Sequence, residues 1–200
     1  FYNHPQTGSS QFYPLRTFTG NRVLTFEDCI ISDCGSMMST ASRGGIIGGG
    51  SSVSADQAAS TVVTLRRCAF WDLVSTINSG SLVRSVSVWT VLFENCTYYS
   101  SSSATPAFGA LVSYYSGTTP PVTFTNMVIQ NDSGTDLVMN GTGSPTFTPT
   151  ACALEGSVYE NITTTNVTIT NSDNADPQML DPANNDFRLK PASPAIDRGV

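Results

Sequence analysis

VLTFEDCII at residues 23–31, VVTLRRCAF at 62–70, TVLFENCTY at 90–98, PVTFTNMVI at 121–129 and SVYENITTT at 157–165 read as imperfect copies of one pattern. Their centres are Cys29, Cys68, Cys96, Met127 and Ile162. When the centres are superposed, each column keeps one chemical character. Three positions before the centre stand Phe26, Leu65, Phe93, Phe124 and Tyr159, and two positions after it stand Ile31, Phe70, Tyr98, Ile129 and Thr164. Large residues in a fixed column belong to a shared core. The approach, Leu24, Val63, Val91, Val122 and Ser157 five positions before the centre, alternates with the period of a strand. Two mostly polar residues then intervene, as in Glu27-Asp28, Arg66-Arg67 and Glu94-Asn95, which breaks the alternation and implies a bend.

The intervals between centres, 39, 28, 31 and 35 residues, suit one coil each with a loop of varying length. Each interval holds a second short apolar run opened by small or turn residues: Gly44 to Ile47, Gly80 to Val83, Gly109 to Val112 and Thr135 to Val138. Two or three short strands per coil predict an all-β fold, a right-handed parallel β-helix of roughly six or seven coils. A leucine-rich repeat has a shorter period and more leucines. An antiparallel sandwich also uses many short strands, but it does not explain matching columns. The expected organisation is one domain over 1–200: an irregular segment at 1–21, coils over 22–170 and a closing coil at 171–200. The domain is read as a section of a longer or polymerising protein.

Composition narrows the partners. Ser and Thr supply 51 of 200 residues, only 12% are charged and the net charge is −6, so nucleic acid is not an expected partner. Lys190 is the single lysine, and no run reaches the ~18 to 20 apolar residues of a membrane-spanning helix. Five N-x-S/T sequons, at Asn95, Asn131, Asn140, Asn161 and Asn166, point to a secreted glycoprotein if the source glycosylates asparagine. Asn131, Asn140 and Asn166 are the expected acceptors, with Asn131 and Asn166 in a column read as an exposed turn. Asn95 and Asn161 rank behind them, because with Asn126 they form a turn ladder whose side chains bond from coil to coil.

Adjacent coils place equivalent Cα atoms about 4.8 Å apart, within the disulfide range of about 4.4 to 6.8 Å. Parallel Cβ vectors at that spacing sit too far apart for an unstrained bridge. Cys29, Cys68 and Cys96, with Met127 and Ile162, are therefore read as a core ladder of small apolar filler, and an odd total of five cysteines leaves at least one unpaired in any case. Glu27, Arg66 and Glu94 alternate in sign in an exposed column and read as a surface charge ladder. No C-x-x-C or His pair suggests a metal, and no cofactor is expected.

FENC and FTNM, GGII and FGAL, and the ending DFRLKPASPAIDRG resemble the right-handed parallel β-helix superfamily that includes pectate lyases. The paired F-x-x-N-like and GGA(I/L)-like strings look like repeats of polymorphic outer-membrane proteins and related adhesins. The ending resembles the final coil of secreted β-helix proteins, which implies that Leu189 and Ile196 point inward and that Ser193-Pro194 makes a turn. The resemblance covers about residues 22–199.

A glycoside hydrolase needs two carboxylates about 5 to 9.5 Å apart. Glu27 and Glu94, two coils apart, reach the upper end of that range. Arg66 between them favours ionised carboxylates over a proton-donating acid. His4 lies outside the repeat, and Asp173, Asp176, Asp181 and Asp186 fit Asp-Pro and Asn-Asp turns better than a calcium loop. The expected role is therefore a non-catalytic extracellular or cell-surface structural or adhesive protein, self-associating head to tail, with a cell-surface or matrix polysaccharide as a candidate partner. The alternative is a carbohydrate-active enzyme or sugar-binding module that uses Tyr98, Tyr99, Tyr114 and Tyr115 as stacking platforms.

Overall fold

The computed structural model describes residues 15–17, 22–32, 44–49, 61–71, 80–85, 89–100, 110–114, 121–131, 138–140, 146–156, 170–172 and 175–197. Fifteen strands form three parallel five-stranded sheets. Sheet A contains β1 (Leu15–Thr17), β4 (Gly44–Gly49), β7 (Gly80–Ser85), β10 (Ala110–Tyr114) and β13 (Val138–Asn140). Sheet B contains β2 (Arg22–Glu27), β5 (Thr61–Arg66), β8 (Thr90–Glu94), β11 (Val122–Thr125) and β14 (Phe147–Thr150). Sheet C contains β3 (Ile30–Ser32), β6 (Ala69–Trp71), β9 (Thr97–Ser100), β12 (Val128–Asn131) and β15 (Ala153–Gly156). Among the described residues the chain thus visits A, B and C in the same order five times, and each strand pairs with its equivalents one visit earlier and later.

The register follows the columns. Phe26, Leu65, Phe93 and Phe124 pair in sequence across sheet B, and Ile31, Phe70, Tyr98 and Ile129 do so across sheet C. Alternation turns Val63, Leu65, Val91, Phe93, Val122 and Phe124 inward. They meet Ile47, Val83 and Val112 from sheet A and the inward column of sheet C in one continuous core. Phe93 stands at its middle, edge-on to Phe70 at 5.9 Å and to Phe124 at 5.2 Å between ring centroids.

The inserted polar pair makes the bend between sheets B and C. Its second residue, Asp28, Arg67, Asn95, Asn126 or Ala151, has φ of 52 to 54°. One left-handed residue turns the chain without interrupting the ladder. Its N–H donates to the next visit, Asp28 to Arg66 O at 3.1 Å, Arg67 to Glu94 O at 2.9 Å and Asn95 to Thr125 O at 2.9 Å. Asn and Asp tolerate this conformation better than residues with longer or purely apolar side chains. Ala151 is the apolar exception. Ala151→Asn is expected to stabilise the protein by about 1 kcal/mol, seen as a higher urea midpoint at unchanged slope; a lower midpoint would show that the buried site has no room for the amide.

Four sequence expectations need correction. The fifth copy is FTPTACALE at 147–155, centred on Cys152 and not on Ile162: Phe124 pairs with Pro149, and Ala153 N donates to Met127 O at 3.0 Å. Residues 157–169, with Ile162 and Asn161, lie outside the described residues, but a sixth copy shows its end. Thr170 bridges to Thr150 in parallel, Asn171 takes φ 48° and Ser172 holds the centre position. The segment at 1–21 is not wholly irregular, because β1 joins sheet A. In β9, β12 and β15 the strand runs to the fourth position after the centre, so there that column is not an exposed turn: Ser100 is buried and Asn131 closes β12, while Asp33, Asp72 and Asn166 of the same column lie outside the described residues.

The last correction concerns the closing coil. Residues 179–189 instead form an antiparallel pair, β16 (Met179–Asp181) and β17 (Asp186–Leu189), around a 3-10 turn at Pro182–Asn184. Met179, Phe187 and Leu189 pack on Trp71, Tyr99, Ala69 and Val128. Trp71 and Tyr99 neighbour the inward Phe70 and Tyr98 and so face the other side of sheet C. Leu189 is half-buried there, whereas Ile196 is exposed. Ser193 sits in a turn, its N–H donating to Lys190 O and its hydroxyl to Pro177 O.

Candidate functional site

The centre column runs Cys29, Cys68, Cys96, Met127 and Cys152, and all four cysteines are free thiols. Each occupies the same hydrogen-bonding niche. The Cys68 thiol faces Arg66 O at 3.2 Å and Phe26 O of the previous visit at 3.5 Å. Cys96 faces Glu94 O and Leu65 O, both at 3.3 Å, and Cys152 faces Thr150 O at 3.2 Å and Phe124 O at 3.4 Å. Ser172 donates to Thr170 O at 3.0 Å in the equivalent relation. Met127 apart, the column therefore holds a small side chain with one hydrogen to donate, which is more specific than apolar filler. Burial raises the pKa of Cys68 and Cys152 and pushes that of Cys96 up to about 12, so these thiols stay protonated at neutral pH. Cys29, on the first visit, is half-buried. Cys34 lies outside the described residues.

Beside this column, Arg66 bonds Glu27 at 2.8 Å and Glu94 at 2.7 Å. Arg67 holds Asp28 through two bonds at 2.7 and 2.9 Å and lies 3.6 Å from Glu27. The Arg67 bond lowers the pKa of Asp28, and the carboxylates raise those of both arginines, Glu94 acting most on Arg66 and Asp28 most on Arg67. Five charged side chains are thus tied to one another on the surface. A general acid must hold a proton near neutral pH, and a carboxylate bonded to a guanidinium is a poor one.

The Asn126 amide donates to Asn95 Oδ1 at 2.9 Å, linking two turns of the asparagine column. Asn95 is nonetheless exposed, so membership of the ladder does not bury it. Asn131 and Asn140 are the last residues of β12 and β13, and Asn166 lies outside the described residues.

Tyr98 and Tyr99 are both buried, Tyr98 in the core and Tyr99 under the C-terminal strands, so neither offers a face to a sugar. Tyr114 ends β10, while Tyr115 and His4 lie outside the described residues. Asp176 accepts from the Gln178 N–H at 2.6 Å, Asp181 from the Asn184 amide at 2.8 Å and Asp186 from Arg188. Asp173 lies outside the described residues. Among the described residues no three His, Cys, Asp or Glu side chains form a group able to hold a metal ion, and no helix is long and apolar enough to cross a membrane.

The first visit differs from the others in one respect. Leu24, Phe26 and Cys29 are only partly buried, while the equivalent Val63, Leu65 and Cys68 are almost fully buried. Val23 is 76% exposed and Ile30 65% exposed on the same visit. Sequence reasoning missed this end because the residues themselves match their column, and only their place in the stack sets them apart. No protein-family model, curated protein or solved structure matches this chain.

Proposed function

We propose that the chain is a right-handed parallel β-helix, each visit to the three sheets being one coil, and that it serves as an extracellular or cell-surface structural or adhesive protein. The resemblance to β-helix lyases and adhesins enters here as part of that reading. The observation that carries it is the first coil. Half-exposed Leu24 and Phe26, flanked by exposed Val23 and Ile30, continue the core columns to an end where apolar surface still meets water. A second copy laid on that end extends the same columns and pairs the outermost strands. Such contact is head to tail and does not close, so it builds a filament or stalk.

The outer surface favours this role over catalysis. Its carboxylates on the Glu27–Arg66–Glu94 ladder are bonded to the Arg66 guanidinium, and two of the tyrosines suited to sugar stacking are buried. Glycans on outward-facing asparagines, with a matrix polysaccharide as the neighbouring surface, fit a secreted stalk.

Electron microscopy of the protein at rising concentration tests the reading. Filaments whose width matches one chain are expected, and Val23→Glu together with Ile30→Lys is expected to abolish them while leaving thermal melting nearly unchanged. Monodisperse particles at all concentrations would remove the polymer, and cleavage of an acidic polysaccharide by such particles would establish the carbohydrate-active alternative.

A further inference from the structure

The upper part of the cysteine column carries chemistry beyond packing. Ile30 pairs with Ala69, and Ala69 N donates to Cys29 O at 2.9 Å, which fixes Cys29 and Cys68 as neighbours on adjacent strands. The two thiols hold equivalent places on these strands, Cys29 facing Glu27 O at 3.2 Å and Cys68 facing Arg66 O at 3.2 Å. Both are unoxidised.

The strand spacing of about 4.8 Å is longer than the Cβ separation of about 3.8 Å that a disulfide needs. It matches two metal–sulfur bonds of about 2.3 Å placed end to end, about 4.6 Å. Soft thiolate pairs select monovalent ions of the copper(I) and silver(I) type, which accept two ligands in line. A structural zinc site takes four ligands, and no such set occurs among the described residues. Half-buried Cys29 provides the way in, whereas Cys96 lies deeper in the core.

We propose that Cys29 and Cys68 form a two-coordinate site for a single soft monovalent cation. Binding replaces two S–H bonds with two metal–sulfur bonds and releases two protons to solvent, with no change of oxidation state. The resulting bis-thiolate has one net negative charge. The site needs no second copy, and a copy laid on the first visit would cover Cys29 and close the way in.

The test uses the full reduced chain in chloride-free buffer, titrated with silver(I) and followed by native mass spectrometry against a competing chelator. One retained silver ion is expected, with a mass two protons below the simple sum. The apparent affinity should rise roughly 100-fold per pH unit below the thiol pKa values, because two protons leave. Cys29→Ser should lose the retained ion, and Cys34→Ser should keep it. Cys29 is at the half-exposed end of the core, so its serine variant is expected to fold, as a thermal melt will verify. If Cys68→Ser does not fold, the Cys29 variant alone is sufficient. Retention by Cys29→Ser with a two-proton dependence, or loss in Cys34→Ser, would overturn the site.

Discussion

Phe93→Ala is expected to lower stability by about 4 kcal/mol, the largest effect of any single truncation in the repeat. Phe93 is fully buried and meets two rings edge to face, Phe124 on the neighbouring strand β11 and Phe70 on β6 of sheet C. Each such ring pair adds about 0.5 to 1.5 kcal/mol beyond the area buried. Removing the ring leaves a cavity in the middle of the stack, where backbone ladders above and below prevent collapse. At a urea slope of about 2 kcal/mol per molar, the midpoint should fall by about 2 M. Phe26→Ala, in the same column but half-exposed, should cost less than half as much. Equal losses at the two positions would mean that the first visit is covered in solution, which would also count against the open end invoked for self-association.

The same column explains how far the fold could be read from sequence. Where a large apolar residue precedes a polar pair and a small donor, as in LTFEDC and VLFENC, strand, bend and inward direction were all legible because periodicity and residue size agree. The reading failed at the fifth copy because Pro149 stands where the others have Phe or Leu, and Ala151 stands where they have Asn, Asp or Arg. SVYENITTT offered Tyr, Glu and Asn in tempting positions and drew the alignment ten residues downstream, from Cys152 to Ile162. Backbone geometry tolerates such exchanges, since the left-handed turn costs alanine only about 1 to 2 kcal/mol.

The thiol niche was half legible. Stacked cysteines read as filler, but the carbonyls they face come from a bend whose geometry no pattern of letters specifies. Solvent-facing charges were legible for the opposite reason: Glu27, Arg66 and Glu94 need only a common column and opposite sign to meet.

The C-terminal strands were misread because their apolar residues fit two destinations equally well. Leu189 and Phe187 continue a coil on paper, but in space they cover Trp71 and Tyr99 on the outer side of sheet C. A two-stranded antiparallel pair is marginal alone, so docking depends on this contact. Phe187 lies 5.0 Å from Trp71 and 6.1 Å from Tyr99 between ring centroids. Phe187→Ala is expected to weaken docking by about 2 kcal/mol, less than for a fully buried ring because Phe187 is only half-buried. That raises the undocked population roughly 30-fold. Amide exchange should accelerate by the same factor across Met179–Leu189 while Val91 and Val122 keep their protection. In a Trp89→Phe background, Trp71 emission should shift to the red as the ring meets water. Uniform acceleration throughout the chain would show instead that the C-terminal strands and the three sheets open as one unit, and that the segment is a true structural element of the stack rather than a cover laid on it.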